Sequence, residues 1–447
     1  MKSNMKRNII NQLVTWKTRT NRMPLLVRGA RQTGKTYIVE WFGQQYFDNL
    51  ITINFELNPE LKQSFEQLDP KLIINRLSIM TGKNITEGKT LLFLDEIQEC
   101  PEAIQALRYF KEKMPALHVI GAGSLLEFTM KAPTFSFPVG RIESLYLYPL
   151  CFSEFLAALG EQNALTFLQE ASFKTTIPEE IHQKLLALVR LYFVIGGMPA
   201  VVQSYLDDGD LQRVQQLQAF ILNTYRNDFG KYANEVNQAH CRRIFEKAPH
   251  LIAKQLKYVD IDPDVQSRSL KAALKLLMLA GLLSPIYASE ASGLPLYASI
   301  NEKKLKLLFL DTGLVKYSTG LDAKLLLQKD MLLVNDGAMA EQFVGQELIA
   351  TQPNYDEAKL YFWQRHKKNS SAEIDYLVQH AAKIIPIEVK AGTLGRLKSL
   401  YTFMTEKQLQ LGVKLSQDTL SYRRNVLSLP LYMVSQLNRM IDEISSL

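Results

Sequence analysis

Three short apolar runs organise the first third of the chain. They are Leu25–Val27 (LLV), Leu91–Leu94 (LLFL) and Leu117–Gly121 (LHVIG). Unbroken apolar runs of this length, without alternation, predict strands buried on both faces, as in a parallel sheet. From Pro178 to Asn227 the period changes. Leu185, Leu188, Val189, Tyr192 and Phe193 recur at helical spacing, and Gly196-Gly197 with Pro199 interrupts the helix. Ser269–Leu283 predicts an amphipathic helix, and Ser284–Tyr287 and Leu296–Ser299 predict a hairpin around Gly293-Leu294-Pro295. Residues 318–335 read as a linker with a helical piece. Beyond them, 337–349 predicts a helix, and Lys359–Trp363, Ala372–Val378 and Lys383–Lys390 predict strands.

Composition adds limits. With 447 residues, 47% hydrophobic and 22% charged, the chain has an ordinary globular balance and room for about two to four domains. Cys100, Cys151 and Cys241 lie far apart and offer no zinc or disulfide framework, which favours a reducing compartment. The most apolar stretch, Ala272 to Leu283, is interrupted by Lys275 and too short to span a bilayer, so a cytoplasmic location without membrane contact is expected. Net charge is +7. Its excess lies at the N-terminus, where Lys2, Lys6, Arg7, Lys17, Arg19 and Arg22 precede any acid. Such a run attracts nucleic acid or forms a solvated helix face; the solvated face is the preferred reading.

The first strand opens into Gly29-Ala30-Arg31-Gln32-Thr33-Gly34-Lys35-Thr36 and then a helix. This is the phosphate-loop pattern GxxxxGK[ST] in its strand–loop–helix context. Gly29 and Gly34 permit a backbone that wraps phosphates with N–H groups. Lys35 reaches the β- and γ-phosphates, and the Thr36 hydroxyl takes one Mg²⁺ position. ATP and Mg²⁺ are the expected cofactors. At the end of the second strand, Asp95 is placed to hold Mg²⁺ and Glu96 to polarise the attacking water. Adjacent carboxylates here also fit a helix N-cap, but the upstream loop favours catalysis. Ser124, past the third strand, is either a γ-phosphate sensor or a turn serine. Arg141 is either a charge-neutralising arginine, in cis or in trans, or a structural one.

GARQTGKT, then FLDEIQ, GAGS, and GR with YPLCFSEFL resemble a large family of prokaryotic AAA-type ATPases related to the signal-transduction ATPases with numerous domains. Gly196-Gly197-Met198-Pro199 resembles the GGxP element of that group. The resemblance implies a P-loop NTPase core over 1–150, a helical lid over 151–235 and a C-terminal domain of unknown function. Helix, helix and hairpin over 236–317 suggest a winged helix. Arg268, Lys271 and Lys275 share one face of its helix, and Lys303, Lys304 and Lys306 follow the wing; such a module either sets lysines on DNA phosphates or serves protein interaction or packing. Asp311 fits no chemical pattern.

Over 318–447, Glu341 on a helix, Asp375 on a strand, and Glu388 and Lys390 on one face of the next strand match the restriction-endonuclease-like PD-(D/E)xK constellation. In that reading Glu341, Asp375 and Glu388 bind a divalent metal and Lys390 activates water. The competing reading is a salt-bridge network in a domain that does not cut. The expected architecture is therefore α/β: an ATPase core, helical lid, winged helix and nuclease-like domain. The expected role is ATP binding and hydrolysis with action on DNA. The alternative is a nucleotide-dependent switch acting through a protein partner. Oligomeric state is not readable.

Overall fold

The computed structural model describes residues 5–131, 135, 140–174, 176–320, 336–365, 372–392 and 397–446. Two sheets carry the fold. The first has five parallel strands: β1 (Leu25–Arg28), β2 (Asn49–Asn54), β3 (Thr90–Asp95), β4 (His118–Ala122) and β5 (Glu143–Tyr146), in the order β2-β3-β4-β1-β5. Every residue of β3 and β4 is buried, as the apolar runs predict. Alternation sorts their side chains. Leu92 and Leu94 pack with Ile104, Leu107 and Phe110 of the helix Pro101–Lys113, while Leu91 and Phe93 pack with Ile38, Val39 and Phe42 of the helix Lys35–Tyr46.

The second sheet has eight strands: β6 (Leu283–Ser289), β7 (Ile300–Phe309), β8 (Leu360–Gln364), β9 (Glu373–His380), β10 (Lys383–Val389), β11 (Gly412–Ser416), β12 (Ser421–Arg423) and β13 (Val426–Pro430). Their order is β12-β13-β11-β10-β9-β8-β6-β7. The hairpin β6–β7 is present, but Leu296–Ser299 forms a 3-10 turn and its second strand begins at Ile300. β6 also pairs in parallel with β8. The hairpin is thus the edge of the C-terminal sheet, and one sheet runs through both of the stretches expected as separate units, 236–317 and 318–447. One apolar core joins this sheet to the helices Phe152–Ala158, Glu179–Ile195, Pro199–Asp208 and Leu211–Tyr232.

Of the basic N-terminal run, Lys2 lies outside the described residues and Lys6 is exposed, whereas the other four have partners. Arg7 is buried, with its guanidinium on Glu154 at 3.1 Å. Lys17 donates to the Tyr46 carbonyl, Arg19 pairs with Glu143, and Arg22 donates to the Ala116 carbonyl. Among the described residues no single helix is long and apolar enough to cross a membrane.

Candidate functional site: a phosphate loop and a carboxylate cluster

Strand register assembles the first site. Val27 and Asp95 both lie opposite Ala122, so the C-terminal ends of β1, β4 and β3 stand in one row. The segments that leave this row are 29–34, Gly123-Ser124 and Glu96. Ligands of open parallel sheets collect at such an edge. Gly29 has φ 140°, and a Cβ there would come within 2.2 Å of the Leu147 carbonyl oxygen, so only glycine fits. Gly34, at φ 92°, caps the helix Lys35–Tyr46, whose first N–H groups and dipole face the loop.

Lys35 arcs back over the loop and donates to the carbonyls of Gly29 (2.9 Å) and Ala30 (2.7 Å). Burial pulls its ammonium down from the usual 10.5 to about 8, against the attraction of Glu96 and Asp95. The Thr36 hydroxyl donates to Asp95 at 3.1 Å to each carboxylate oxygen, and the Asn54 amide donates to Asp95 at 3.0 Å. Burial, then repulsion from Glu96, raises the Asp95 carboxyl. Glu96 sits in the left-handed region (φ 49°), and its carboxylate accepts from the Gln98 amide at 2.7 Å. Ser124 is buried at the tip of β4. A hydroxyl beside a carboxylate is a hard-oxygen donor set, and with phosphate oxygens it suits Mg²⁺. These residues therefore fit both expected cofactors.

The loop is clamped from outside the sheet. Arg31 is held by Asp228 (2.8 and 2.9 Å), and the Tyr225 hydroxyl donates to the Arg31 carbonyl, both from the helix Leu211–Tyr232. Arg7 donates to the Thr33 carbonyl at 3.1 Å. Pro199 lies 3.5 Å from where a Gly34 Cβ would stand. The Gly-Gly turn before Pro199 is pinned in turn: a Gly197 Cβ would sit 2.1 Å from the Leu150 carbonyl oxygen, and the Gly197 N–H donates to Asp311 at 2.6 Å. Asp311 is fully buried, and burial raises it to about 6.

Arg141 is not brought to the loop. It precedes Glu143, which pairs with Leu25 at the start of β1, whereas the phosphate loop follows the other end of that strand. Arg141 instead pairs with Glu112 at 3.3 Å.

The second constellation does assemble, in the middle of the eight-stranded sheet, with one addition. Lys306 of β7 is 1% exposed, and its ammonium lies 2.6 Å from Glu373, 3.3 Å from Glu341 and 3.8 Å from Asp375. The other Asp375 oxygen accepts from the Val389 N–H at 2.8 Å. Glu388 accepts from Lys390 at 2.5 Å, and its second oxygen is buried without a partner. Burial and then the neighbouring Asp375 charge raise Glu341 to about 8 and Glu388 to about 7. Among the described residues no group of three or more acidic, histidine or cysteine side chains could hold a metal ion. The Lys306 ammonium stands among Glu341, Glu373 and Asp375, where the expected divalent metal would have to sit. Lys306, expected on DNA phosphates, is an internal ion-pair partner; Arg268, Lys271 and Lys275 are exposed.

Residues 21–156 match the profile of an AAA domain (AAA_14). Residues 186–325 match a domain of unknown function, DUF8612, and residues 336–432 match another, DUF4143. No curated protein matches. Among solved structures, the Walker-type ATPase PABY2304 of Pyrococcus abyssi is similar at 15% identity and TM-score 0.45, over 70% of this chain and 96% of that one. The ORC1 protein of Aeropyrum pernix, solved with DNA, is similar at 13% identity and TM-score 0.29, over 71% and 91%. The RuvB Holliday junction branch migration motor of Thermotoga maritima is similar at 15% and 0.29, over 64% and 89%. The AAA match spans the phosphate loop, Asp95 and Glu96, and with the all-parallel sheet it supports an AAA-type P-loop ATPase core.

Sequence reasoning passed over Asn54 and Asp228, and gave Arg7 and Lys306 only surface roles. Each acts through a partner 26 or more residues away in the chain.

Proposed function

We propose that the chain binds Mg²⁺-ATP on the loop 29–36 and hydrolyses it. The observation that carries this reading is the Thr36 hydroxyl on the Asp95 carboxylate beside the buried Lys35. Bound Mg²⁺ would supply charge neutralisation at the β- and γ-phosphates. Lys35 would swing from its two carbonyls to the phosphates. Thr36 and Asp95 would hold the metal, with Asn54 orienting Asp95. Glu96, freed from Gln98, would accept a proton from the attacking water. Glu96→Gln should therefore keep ATP affinity and lower turnover by about a hundredfold or more. Turnover at the parent rate in a phosphate-release assay would refute the assignment.

Two observations bear on output. Arg268, Lys271 and Lys275 stand exposed along the helix Ser267–Leu279, ahead of the hairpin, which supports a winged-helix contact with DNA phosphates. Replacing all three by Ala should weaken DNA binding and flatten its salt dependence. Unaltered binding would remove this face from consideration. The order helix, three strands, helix, strand from 336 to 416 supports a restriction-endonuclease-like fold, but Lys306 within its carboxylates favours a domain that responds to the nucleotide through protein contacts over one that cuts.

A further inference from the structure

The nuclease-like constellation and the residue inside it disagree, and the disagreement is informative. A metal-dependent site needs carboxylate oxygens turned toward a common point where a divalent ion can sit. Here three carboxylates do turn toward one point. Glu373 Oε1, Glu341 Oε2 and Asp375 Oδ1 lie 2.6, 3.3 and 3.8 Å from the same ammonium nitrogen. That nitrogen belongs to Lys306, which comes from β7, outside the helix–strand set that carries the acidic residues. We infer that Lys306 is the built-in cation of this cluster, and that the domain takes no divalent metal there.

Three physical arguments support this. An ammonium has three N–H donors and no acceptor; Glu373 and Glu341 lie within hydrogen-bond distance of it, and Asp375 adds a third negative charge at 3.8 Å. Two further oxygens are committed, Asp375 Oδ2 to the Val389 N–H and Glu388 Oε1 to Lys390, which leaves Glu388 Oε2 as the one buried carboxylate oxygen of the described cluster without a partner. A divalent ion bound by Asp375 and Glu341 would stand within a few ångströms of the Lys306 charge. Lys306 is 1% exposed, and Phe362 covers its ammonium, with the ring centroid 5.4 Å away. Expelling it would strand a charge in the core. The cluster instead ties the hairpin β6–β7 to β9 and to the helix Asp336–Thr351, three elements that belong to different stretches of the chain.

The inference is independent of ATP hydrolysis and is tested on the full-length, nucleotide-free protein with Mn²⁺ alone. Free Mn²⁺ is followed by electron paramagnetic resonance in the parent chain and in Asp375→Asn. The two should bind the same number of ions. One additional Mn²⁺ per parent chain, lost in Asp375→Asn, would overturn the inference. Lys306→Met removes the charge and keeps the apolar stem; it should gain one Mn²⁺ per chain, and that ion should disappear in Lys306→Met/Asp375→Asn. If Lys306→Met folds and binds no more Mn²⁺ than the parent, Lys306 is not what fills the site and the inference falls. If it does not fold, the parent and Asp375→Asn comparison decides alone. DNA cutting by the parent with Mg²⁺ or Mn²⁺ that vanishes in Asp375→Asn would also overturn it.

Discussion

Lys35 offers a test in which stability and binding move in opposite directions. The parent holds an ammonium in a buried loop, and burial lowers it from 10.5 to about 8. At 1.36 kcal/mol per tenfold change in proton affinity, that gap is roughly 3 kcal/mol of folding penalty at neutral pH. Lys35→Met removes the charge and retains most of the stem. It also leaves the Gly29 and Ala30 carbonyls without their donor, at ~1 kcal/mol each. The nucleotide-free variant should therefore be more stable than the parent by about 1–2 kcal/mol at pH 7, read as a higher urea midpoint. The sign with pH follows from linkage. A lysine lowered on folding binds fewer protons in the native state, so its penalty is complete below pH 8 and fades between about 8 and 10.5. The variant's advantage should shrink over that interval. ATP does the reverse. Its phosphates favour the ammonium, so ATP binding should take up a proton above pH 8, and parent affinity should fall there. Calorimetry in buffers of different ionisation enthalpy reads that proton. The variant should bind ATP at least about tenfold more weakly, having lost a charge-assisted contact of ~1.5–3 kcal/mol. A parent whose ATP affinity is flat from pH 7 to 9.5, beside a variant less stable than the parent at pH 7, would refute the reasoning.

Three further variants have expected outcomes. Gly197→Ala places a Cβ 2.1 Å from the Leu150 carbonyl oxygen and should cost more than about 4 kcal/mol or abolish soluble expression. Gly293→Ala, with open space around it, should express and melt like the parent. Glu347 is raised by burial to about 8, so its folding penalty is absent below the ordinary value near 4.5, grows as pH rises and is complete above 8. Glu347→Gln keeps an acceptor for the Phe152 N–H and should stabilise the protein by a few kcal/mol at pH 9 but hardly at pH 4.5, by thermal melting at both. Equal shifts at the two values would contradict the assignment.

The phosphate loop was legible because its chemistry is local: one strand, six loop residues and one helix turn make the site, and glycine is forced at Gly29 by a backbone contact. Asp95 and Glu96 were legible for the same reason, as the end of an apolar run. Arg141, which the sequence leaves open between a phosphate contact in cis or in trans and a structural role, precedes β5 at the end of the sheet away from the loop, a placement that only the strand register reveals. The carboxylate cluster was half legible. Glu341, Asp375, Glu388 and Lys390 share a short stretch and follow strand alternation, but Lys306 enters from another strand through the pairing of β6 with β8. Its place in a Lys-rich segment, KKLKLL, resembled a solvated basic patch. Strand periodicity would have flagged it: Leu305 to Phe309 are all buried, and a lysine inside such a run needs an internal partner.

The same logic explains how the two sites are joined. Pro199 touches the phosphate loop, Gly197 in the turn before it donates to Asp311, and its carbonyl accepts from the Leu150 N–H. The Leu150 carbonyl accepts from the Tyr192 hydroxyl, which in turn accepts from Gln346. Gln346 lies on the helix that also carries Glu341, one of the Lys306 partners. The steps from Gly197 to Gln346 are hydrogen bonds between buried groups, and a Cβ at Gly197 would strike the Leu150 carbonyl. If ATP binds as proposed, a loop that tightens on its phosphates would pull on Pro199, which stands 3.5 Å from where a Gly34 Cβ would lie. That pull has two outlets: breakage of a buried hydrogen bond, at the cost of an unpaired group, or movement of the helix as a body. The second is cheaper wherever the far end can follow, and the far end is held by an ammonium shared among three carboxylates, an interaction that tolerates small shifts better than a metal with fixed coordination. On the proposed function, a lysine in that position suits a joint that responds to the nucleotide better than a site built for hydrolysis.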